Sequence, residues 1–399
     1  MKDLGLSATE YGFAAGLFFI SYSFFEIPSN MALEKFGARI WIARIMATWG
    51  ALAAAMAFVN SAWAIYVMRF LLGAAEAGFF PGVILYMSYW FPKNYRSRMI
   101  ALFWIAVPIS NGAGAAVSGW ILGLHGVLGL VGWQWLFLVE GIPAIILSVF
   151  VLIILDDKPS DAKWLTNDER QWLSSTIEME RRQIPPGKPS IWSVFAQPQV
   201  LAITAIMFLL MIATYNMNFF LPQIFKSAGK SDVATGLLAG STFVIAPFAM
   251  LASGWSSDRM NERKWHCVVA GFICSAGLFA AGFTSGGIAL AGFILATGGS
   301  YAMRPPLWAM PSELLTGMYA AVGIAYINAV GNIAGFVGPA VMGWIKDTTG
   351  SYSLAVFFTA GAAAAATLVS LLCFPRPSKE RLTKTIIESD VSGAVNKAV

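Results

Sequence analysis

The sequence predicts an all-α membrane protein with eleven transmembrane helices in two parallel-related halves, five in the first and six in the second. Three observations lead there: an extreme apolar composition, eleven apolar runs of membrane-spanning length, and an internal repeat. Of 399 residues, 57% are hydrophobic and only 12% charged, with a mean hydropathy of +0.67. Soluble domains carry about 25% charged residues. So much apolar surface suits lipid and excludes a water-soluble enzyme or nucleic-acid-binding domain. The 38 glycines and 15 tryptophans agree, because membrane helices tolerate Gly and Trp favours the lipid–water interface.

A helix crossing the bilayer needs about 20 mostly apolar residues. Eleven runs qualify: 8–33, 42–60, 63–87, 99–123, 133–155, 199–221, 234–256, 266–284, 287–311, 318–342 and 352–374. Most connections between them are very short, as antiparallel neighbours require. The exception is the polar stretch 156–198, in which Thr166 and Glu169 have capping-box spacing and start a short helix. The expected organisation is therefore 1–155 as an N-terminal half, 156–198 as a cytoplasmic linker, 199–374 as a C-terminal half and 375–399 as a tail.

Basic residues set the orientation. One side collects Lys35, Arg39, Lys93, Arg96, Arg98, six in the linker, Arg259, Arg263, Lys264 and five after Cys373, making 19 of the 26. The other side has only Lys2, Lys226, Lys230 and Lys346, while Arg44, Arg69 and Arg304 fall inside spans. This asymmetry places the linker and the C-terminus in the cytoplasm.

The repeat has a single offset. Moving 224 residues along the chain superposes Glu34 on Asp258, Lys35 on Arg259, Arg39 on Arg263, Pro81 on Pro305 and Gly119-Trp120-Ile121 on Gly343-Trp344-Ile345. Two parallel repeats of this kind are a transporter architecture. Shifting 199–221 back by 224 gives negative positions, so the first half holds five helices where the repeat expects six, and eleven stand in place of twelve.

Two helical repeats with acid–basic–Gly loops resemble the major facilitator superfamily. Further stretches resemble its anion:cation symporter branch: Leu4-Gly5-Leu6-Ser7 leading into Tyr11-Gly12, the run from Arg69 to Gly82, Trp90-Phe91-Pro92, Gly132-Trp133-Gln134-Trp135-Leu136-Phe137, Ala162-Lys163-Trp164-Leu165-Thr166, and Asn328-Ala329-Val330-Gly331-Asn332 followed by Gly335-Phe336-Val337-Gly338-Pro339. The resemblance spans essentially the whole chain. It implies transport of small organic anions such as sugar acids, hydroxy-dicarboxylates and aromatic carboxylates, coupled to a cation, usually a proton, by alternating access around a central site. The branch's acidic–Arg–Asn motif on its first helix has no counterpart here.

Charges inside spans mark function by default. Arg69 and Glu76 lie seven apart, so they share one helix face about 10.5 Å apart along the axis, and Gly73 between them is expected to leave that face open. Arg69 suits a substrate carboxylate because its planar donors match it bidentately. Glu76 suits proton coupling, since a carboxyl whose solvation and neighbouring charge change can load and release a proton. Helix packing is the competing account of both. Arg304, just before Pro305-Pro306, is either a second carboxylate contact or a side chain snorkelling to the interface. Tyr22, Tyr215, Asn218, Trp308, Asn328 and Asn332 are further candidates to line a substrate path, against the ordinary alternative of helix–helix hydrogen bonding. Tyr22, Asn328 and Asn332 lie in stretches that the resemblance associates with that path. Glu26 reads as structural or gating, and nothing decides the role of Glu140. By resemblance Glu34, Lys35, Arg39, Asp258, Arg259 and Arg263 form a cytoplasmic latch. Gly112, Gly114, Gly119, Gly331, Gly335, Gly338 and Gly343 read as packing surfaces.

The sequence has no nucleophile elbow, phosphate loop or metal-ligand spacing, so no enzyme, metal or cofactor is expected. Cys267, Cys274 and Cys373 read as small buried hydrophobes, and His125 and His266 as solvated or interfacial. The expected protein is a monomeric, multi-pass transporter of the bacterial inner membrane. It contacts lipid and no nucleic acid, and its partners are an organic anion and a co-transported proton. A facilitator-type exporter of metabolites or drugs, and a non-transporting truncated or sensor-like membrane protein, are the alternatives.

Overall fold

A computed structural model describes residues 5–182, 194–315 and 317–373. The expected tail 375–399 and the linker stretch 183–193 lie outside the described residues. Among the described residues all regular structure is helical. The helices are α1 (Ala8–Phe36), α2 (Ala38–Ala55), α3 (Ala62–Glu76), α4 (Phe79–Trp90), α5 (Lys93–Leu122), α6 (Gly132–Ile154), α7 (Asn167–Arg182), α8 (Pro198–Ser227), α9 (Asp232–Phe243), α10 (Ile245–Met260), α11 (Lys264–Phe283), α12 (Gly286–Ala302), α13 (Arg304–Leu314), α14 (Gly317–Thr349) and α15 (Tyr352–Cys373). Ten stretches among them are long and apolar enough to cross a membrane. The eleventh expected span, 8–33, folds as the continuous α1, whose apolar run is interrupted by Glu10, Ser21, Ser23, Glu26, Ser29 and Asn30.

The repeat is visible in the helix bounds. Ala8–Phe36 moved by 224 becomes 232–260, the combined bounds of α9 and α10, and Ala62–Trp90 becomes 286–314, those of α12 and α13. Packing repeats as well. In the first unit (described residues 5–182 and 225–240) α1 packs on α3, α2 on α6 and α5 on α6. In the second (described residues 194–224 and 241–373, without 316) α10 packs on α12, α11 on α15 and α14 on α15.

Local chemistry explains the main boundaries. Ser7 and Glu10 form a reciprocal capping box at α1, a signature the span count passed over. The expected box at α7 is present: Glu169 N–H donates to Thr166 Oγ1 at 3.3 Å, and Thr166 N–H returns a bond to Glu169 Oε2 at 3.0 Å. The run 63–87 is two helices. Ala77 turns extended and Gly78 takes φ 84°, ψ −1°, a left-handed conformation that costs Gly little. The run 287–311 is interrupted at Met303, where Pro305 and Pro306 bring no N–H to the preceding turn.

In the first unit, one buried cluster forms around Leu33, Ala38 and Ile42 and another around Ala53, Met56 and Leu72. Its α2–α6 contact is backbone-close: a Cβ on Gly50 would stand 2.7 Å from Gly141 O. The second unit is organised around α8, whose Ile203, Ile206, Met207 and Leu210 pack with Cys267 of α11, Met303 at the α12–α13 junction, Leu307 of α13 and Ala366 of α15. Large apolar side chains are exposed along the spans, among them Trp63 at 74%, Ile153 at 72% and Phe283 at 78%. That is the surface a lipid-embedded bundle presents. The glycine surfaces are mixed. A Cβ on Gly119 would meet Asp232 O and Gly236, and one on Gly338 would meet Asn216 Oδ1, but Gly114 faces open space.

Part of the expected linker belongs to the first unit. Trp164 stacks on Trp90 with ring centroids 5.7 Å apart, Tyr86 OH donates to Asp156 O at 2.9 Å, and Arg39 N–H donates to Asp157 Oδ1 at 2.8 Å. Cys267 and Cys274 are buried as expected, whereas Cys373, at the exposed end of α15, is not. His125 is solvated in a turn. His266 is instead held between Glu262 Oε2 and Ser256 Oγ, at 2.9 and 3.0 Å.

Candidate functional site

In the first unit, α3 runs unbroken from Arg69 to its last residue, Glu76, so the two share a face as the spacing requires. Both are part-buried. Arg69 is within electrostatic reach of Glu76, Glu140 and Tyr11. Two carboxyls from different helices, Glu76 on α3 and Glu140 on α6, thus act on its charge, and Ser118 Oγ on α5 donates to Glu140 Oε1 at 3.3 Å. No role for Glu140 could be read from the residues around it in the chain. Its acidic side chain on an apolar span was the available signal, but its partner could be known only once α6 was placed near α3.

Gly73 corrects one expectation. The space beside it is filled: a Cβ there would overlap Phe18 O and the Ser21 hydroxyl of α1. Glycine at 73 lets two helices touch and opens no cavity. Ser21 is itself fully buried and donates to Phe18 O at 3.0 Å.

The α3–α4 break immediately after Glu76 is held by side chains the sequence did not single out. A Cβ on Gly78 would stand 2.5 Å from Ser29 Oγ. Ser29 Oγ accepts from Trp41 Nε1 at 3.0 Å, and the Arg44 guanidinium lies over the Trp41 ring, 3.9 Å from its centroid. Arg44 Nη1 donates to Ala75 O over a long 3.4 Å, meeting a carbonyl that the end of α3 would leave open. Tyr22, one turn beyond Phe18 on α1, packs against the Phe18 ring at 5.8 Å.

The latch residues divide. Arg39 ties α2 to α6, its Nε donating to Leu152 O at 2.7 Å and its N–H to Asp157. Glu34 borders a cavity of about 470 Å³ with Asp157, Lys158 and Glu178, and Lys35 lies over the Phe36 ring at 5.4 Å. Arg263, the repeat partner of Arg39, pairs locally with Asp258 at 2.6 Å, while Arg259 covers the Trp255 ring at 5.2 Å.

In the second unit Tyr215 OH donates to Asn332 Oδ1 at 3.3 Å, bringing two candidates together. Arg304 is only 6% exposed, so it does not snorkel. Its Nη2 donates to Thr214 Oγ1 at 3.3 Å and its guanidinium lies 4.1 Å from the Tyr301 ring centroid. Asn218 Oδ1 and Trp308 Nε1 are buried without a hydrogen-bond partner. Asn328 lies part-buried on α14, one turn before Asn332.

Repeated helical halves, broken spans and charges placed beside the breaks define a membrane transporter of the repeat-built kind. The chain belongs to the Major Facilitator Superfamily, whose family model matches residues 1–339. It is 44% identical over 385 residues to a protein of Agrobacterium vitis named as a tartrate transporter, covering 96% of this chain and 86% of that one. It is 35% identical over 361 residues to a protein of Acinetobacter baumannii named as a quinolone resistance transporter, covering 89% and 83%. Among solved structures, a bacterial homologue of the human lysosomal transporter Spinster, inward-facing and occupied, superposes with a TM-score of 0.75 at 15% identity, covering 93% and 90%. This protein is therefore a multi-pass integral membrane transporter and not an enzyme.

Proposed function

We propose that this transporter, of the anion:cation symporter branch, carries a small organic anion inward together with a proton by alternating access. It acts as a monomer in a bacterial cytoplasmic membrane, with its C-terminus inside. The observation that carries the proposal is the grouping of Arg69 with Glu76 and Glu140 beside a break in the same span. A guanidinium in a low-dielectric bundle attracts a carboxylate, and a carboxyl next to it feels that anion arrive and leave. Substrate and proton thereby become linked through one cation. The relatives named for tartrate transport support a hydroxylated organic acid as cargo. Tyr22, Tyr215, Asn218, Asn328 and Asn332 are the candidate hydrogen-bonding groups for its hydroxyls. Glu34, Lys35 and Arg39, with Asp258, Arg259 and Arg263, act as the cytoplasmic latch, for which the Arg39 bridge from α2 to α6 is the strongest support.

Proteoliposomes holding a pH-sensitive dye test this reading. Adding tartrate outside acidifies the lumen if anion and proton enter together. No pH change with tartrate or with a panel of sugar and aromatic acids contradicts it. The quinolone-named relative favours a second reading, drug export. Proton flux elicited by a fluoroquinolone and by no organic acid selects that reading instead.

A further inference from the structure

We infer that Glu26 of α1 is a proton relay, which takes the proton from the coupling carboxyl of Glu76 and passes it to the cavity bordered by Glu34. The inference rests on the reading of Glu76 as the coupling group, and every residue it uses lies in the first unit.

Glu26 is a part-buried carboxyl on a mostly apolar helix. An ionisable group at that depth is costly and is retained for a function. Its helix carries a polar track. Ser23, Glu26, Asn30 and Glu34 follow one another at three, four and four residues. At about 100° and about 1.5 Å per residue they share an arc of about 80° and extend about 16 Å along the axis. The track holds buried oxygens that other side chains and the backbone leave open. Ser23 Oγ and Asn30 Oδ1 have no hydrogen-bond partner among the described residues. The Asn30 amide donates to Glu26 O at 2.9 Å, and its oxygen lies 3.7 Å from the place a Cβ on Gly82 of α4 would take. Buried polar atoms of this kind are normally completed by water. A hydroxyl and an amide oxygen that hold water on either side of a carboxyl make a path for a proton.

Both ends of the track are defined. Gly73 and Gly78 flank Glu76, and they lie against Phe18 and Ser21 and against Ser29 of α1. The chain at Glu76 therefore runs alongside the stretch of α1 that carries Ser23 and Glu26. The helices α2, α3 and α4 pack on α1. Their titratable groups are Arg39, Arg44, Tyr66, Arg69, Glu76, Tyr86 and Tyr89, and Glu76 is the one carboxyl among them. It is thus the acid from which Glu26 receives a proton. At the other end, Glu34 borders the cavity of about 470 Å³ that Ser160 and Ser174 also line, polar and roomy enough to hold water. The transfer balances. The Glu76 carboxyl loses its proton, the Glu26 carboxylate gains it and then releases it through water to the cavity, and both groups end as carboxylates.

The test uses radiolabelled tartrate and the full chain in proteoliposomes, measuring accumulation under an acid-outside pH gradient beside exchange at equal pH. Glu26→Gln should slow accumulation by about tenfold or more, the scale of a lost proton-transfer group, and leave exchange within about twofold of wild type. Exchange is spared because it needs no net proton release. In D2O, accumulation by this variant should slow more than that of the wild type, since proton release now limits it. Glu26→Asp should recover part of the rate. Asn30→Leu, similar in size to the native residue, removes a water-holding oxygen and should also slow accumulation alone, which keeps the test open if the Gln variant does not fold. Equal slowing of accumulation and exchange, with an unchanged solvent isotope effect, overturns the relay and leaves Glu26 a packing residue. Accumulation that is lost in Glu76→Gln but unchanged in Glu26→Gln and Asn30→Leu overturns the relay alone. Wild-type protein that accumulates no tartrate under the gradient overturns the proton-coupled reading and the relay with it.

Discussion

Arg69 and Arg304 illustrate what single residues disclose before a fold is known. Both were conspicuous as charges inside apolar runs, and the sequence alone places Arg69 seven residues before Glu76 and Arg304 just before Pro305-Pro306. It does not place their surroundings, because Glu140, Ser118 and Thr214 come from helices distant in sequence. Gly73 makes the same point from the other side. Its lack of a side chain was plain, but whether the space held a cavity or the backbone of α1 depended on which helix packs there. At this scale the proposed roles give a direct expectation. Arg69→Lys keeps the charge but loses the bidentate fork, so tartrate binding should weaken by about tenfold or more with little change in thermal unfolding. Unchanged binding would remove Arg69 from the site.

At the scale of elements, the informative features are the interruptions. The sequence marked Pro81 and Pro305 as a repeat match, and the structure shows why they matter: each sits just past a break in an otherwise continuous span. Periodicity and hydropathy run through both breaks and could not reveal the one at Ala77. The clamp of Ser29, Trp41 and Arg44 around the first break should be measurable. Gly78→Val forces a β-branched residue into a left-handed conformation against Ser29 and should cost on the order of 1–3 kcal/mol, read as a lower Tm in detergent. Arg44→Met leaves the Ala75 carbonyl without its long hydrogen bond and should cost about 1 kcal/mol, with an unchanged Tm contradicting the clamp. The α7 start carries a pH dependence. Its Glu169 carboxyl is held below the usual range, chiefly because the Thr166 N–H donates to it and also through the Thr166 hydroxyl. The fold therefore favours the ionised form. The cap contributes above the ordinary glutamate pKa of about 4.3 and is lost as pH falls through the lower folded value. Amide protection in the first turn of α7 should drop across that acid window, and in Glu169→Gln the drop should disappear.

For the whole molecule, the repeat was legible because it survives as one offset in loops, prolines and glycines, and the same offset of 224 maps helix bounds onto helix bounds. What composition could not convey is which helix threads a core: in the second unit it is α8. Nor could it assign residues 156–164 to the first unit, since that depends on Trp164 finding Trp90. Polar residues read as a linker until an aromatic partner is placed beneath them. The same limit applies to function, which rests on whether one carboxyl links the anion to the proton. The most direct measurement is radiolabelled tartrate transport by Glu76→Gln in proteoliposomes, comparing accumulation driven by an acid-outside pH gradient with exchange at equal pH. The account predicts that gradient-driven accumulation is abolished while exchange continues near the wild-type rate. Accumulation that still follows the pH gradient in this variant would contradict it, and the coupling carboxyl would have to lie elsewhere.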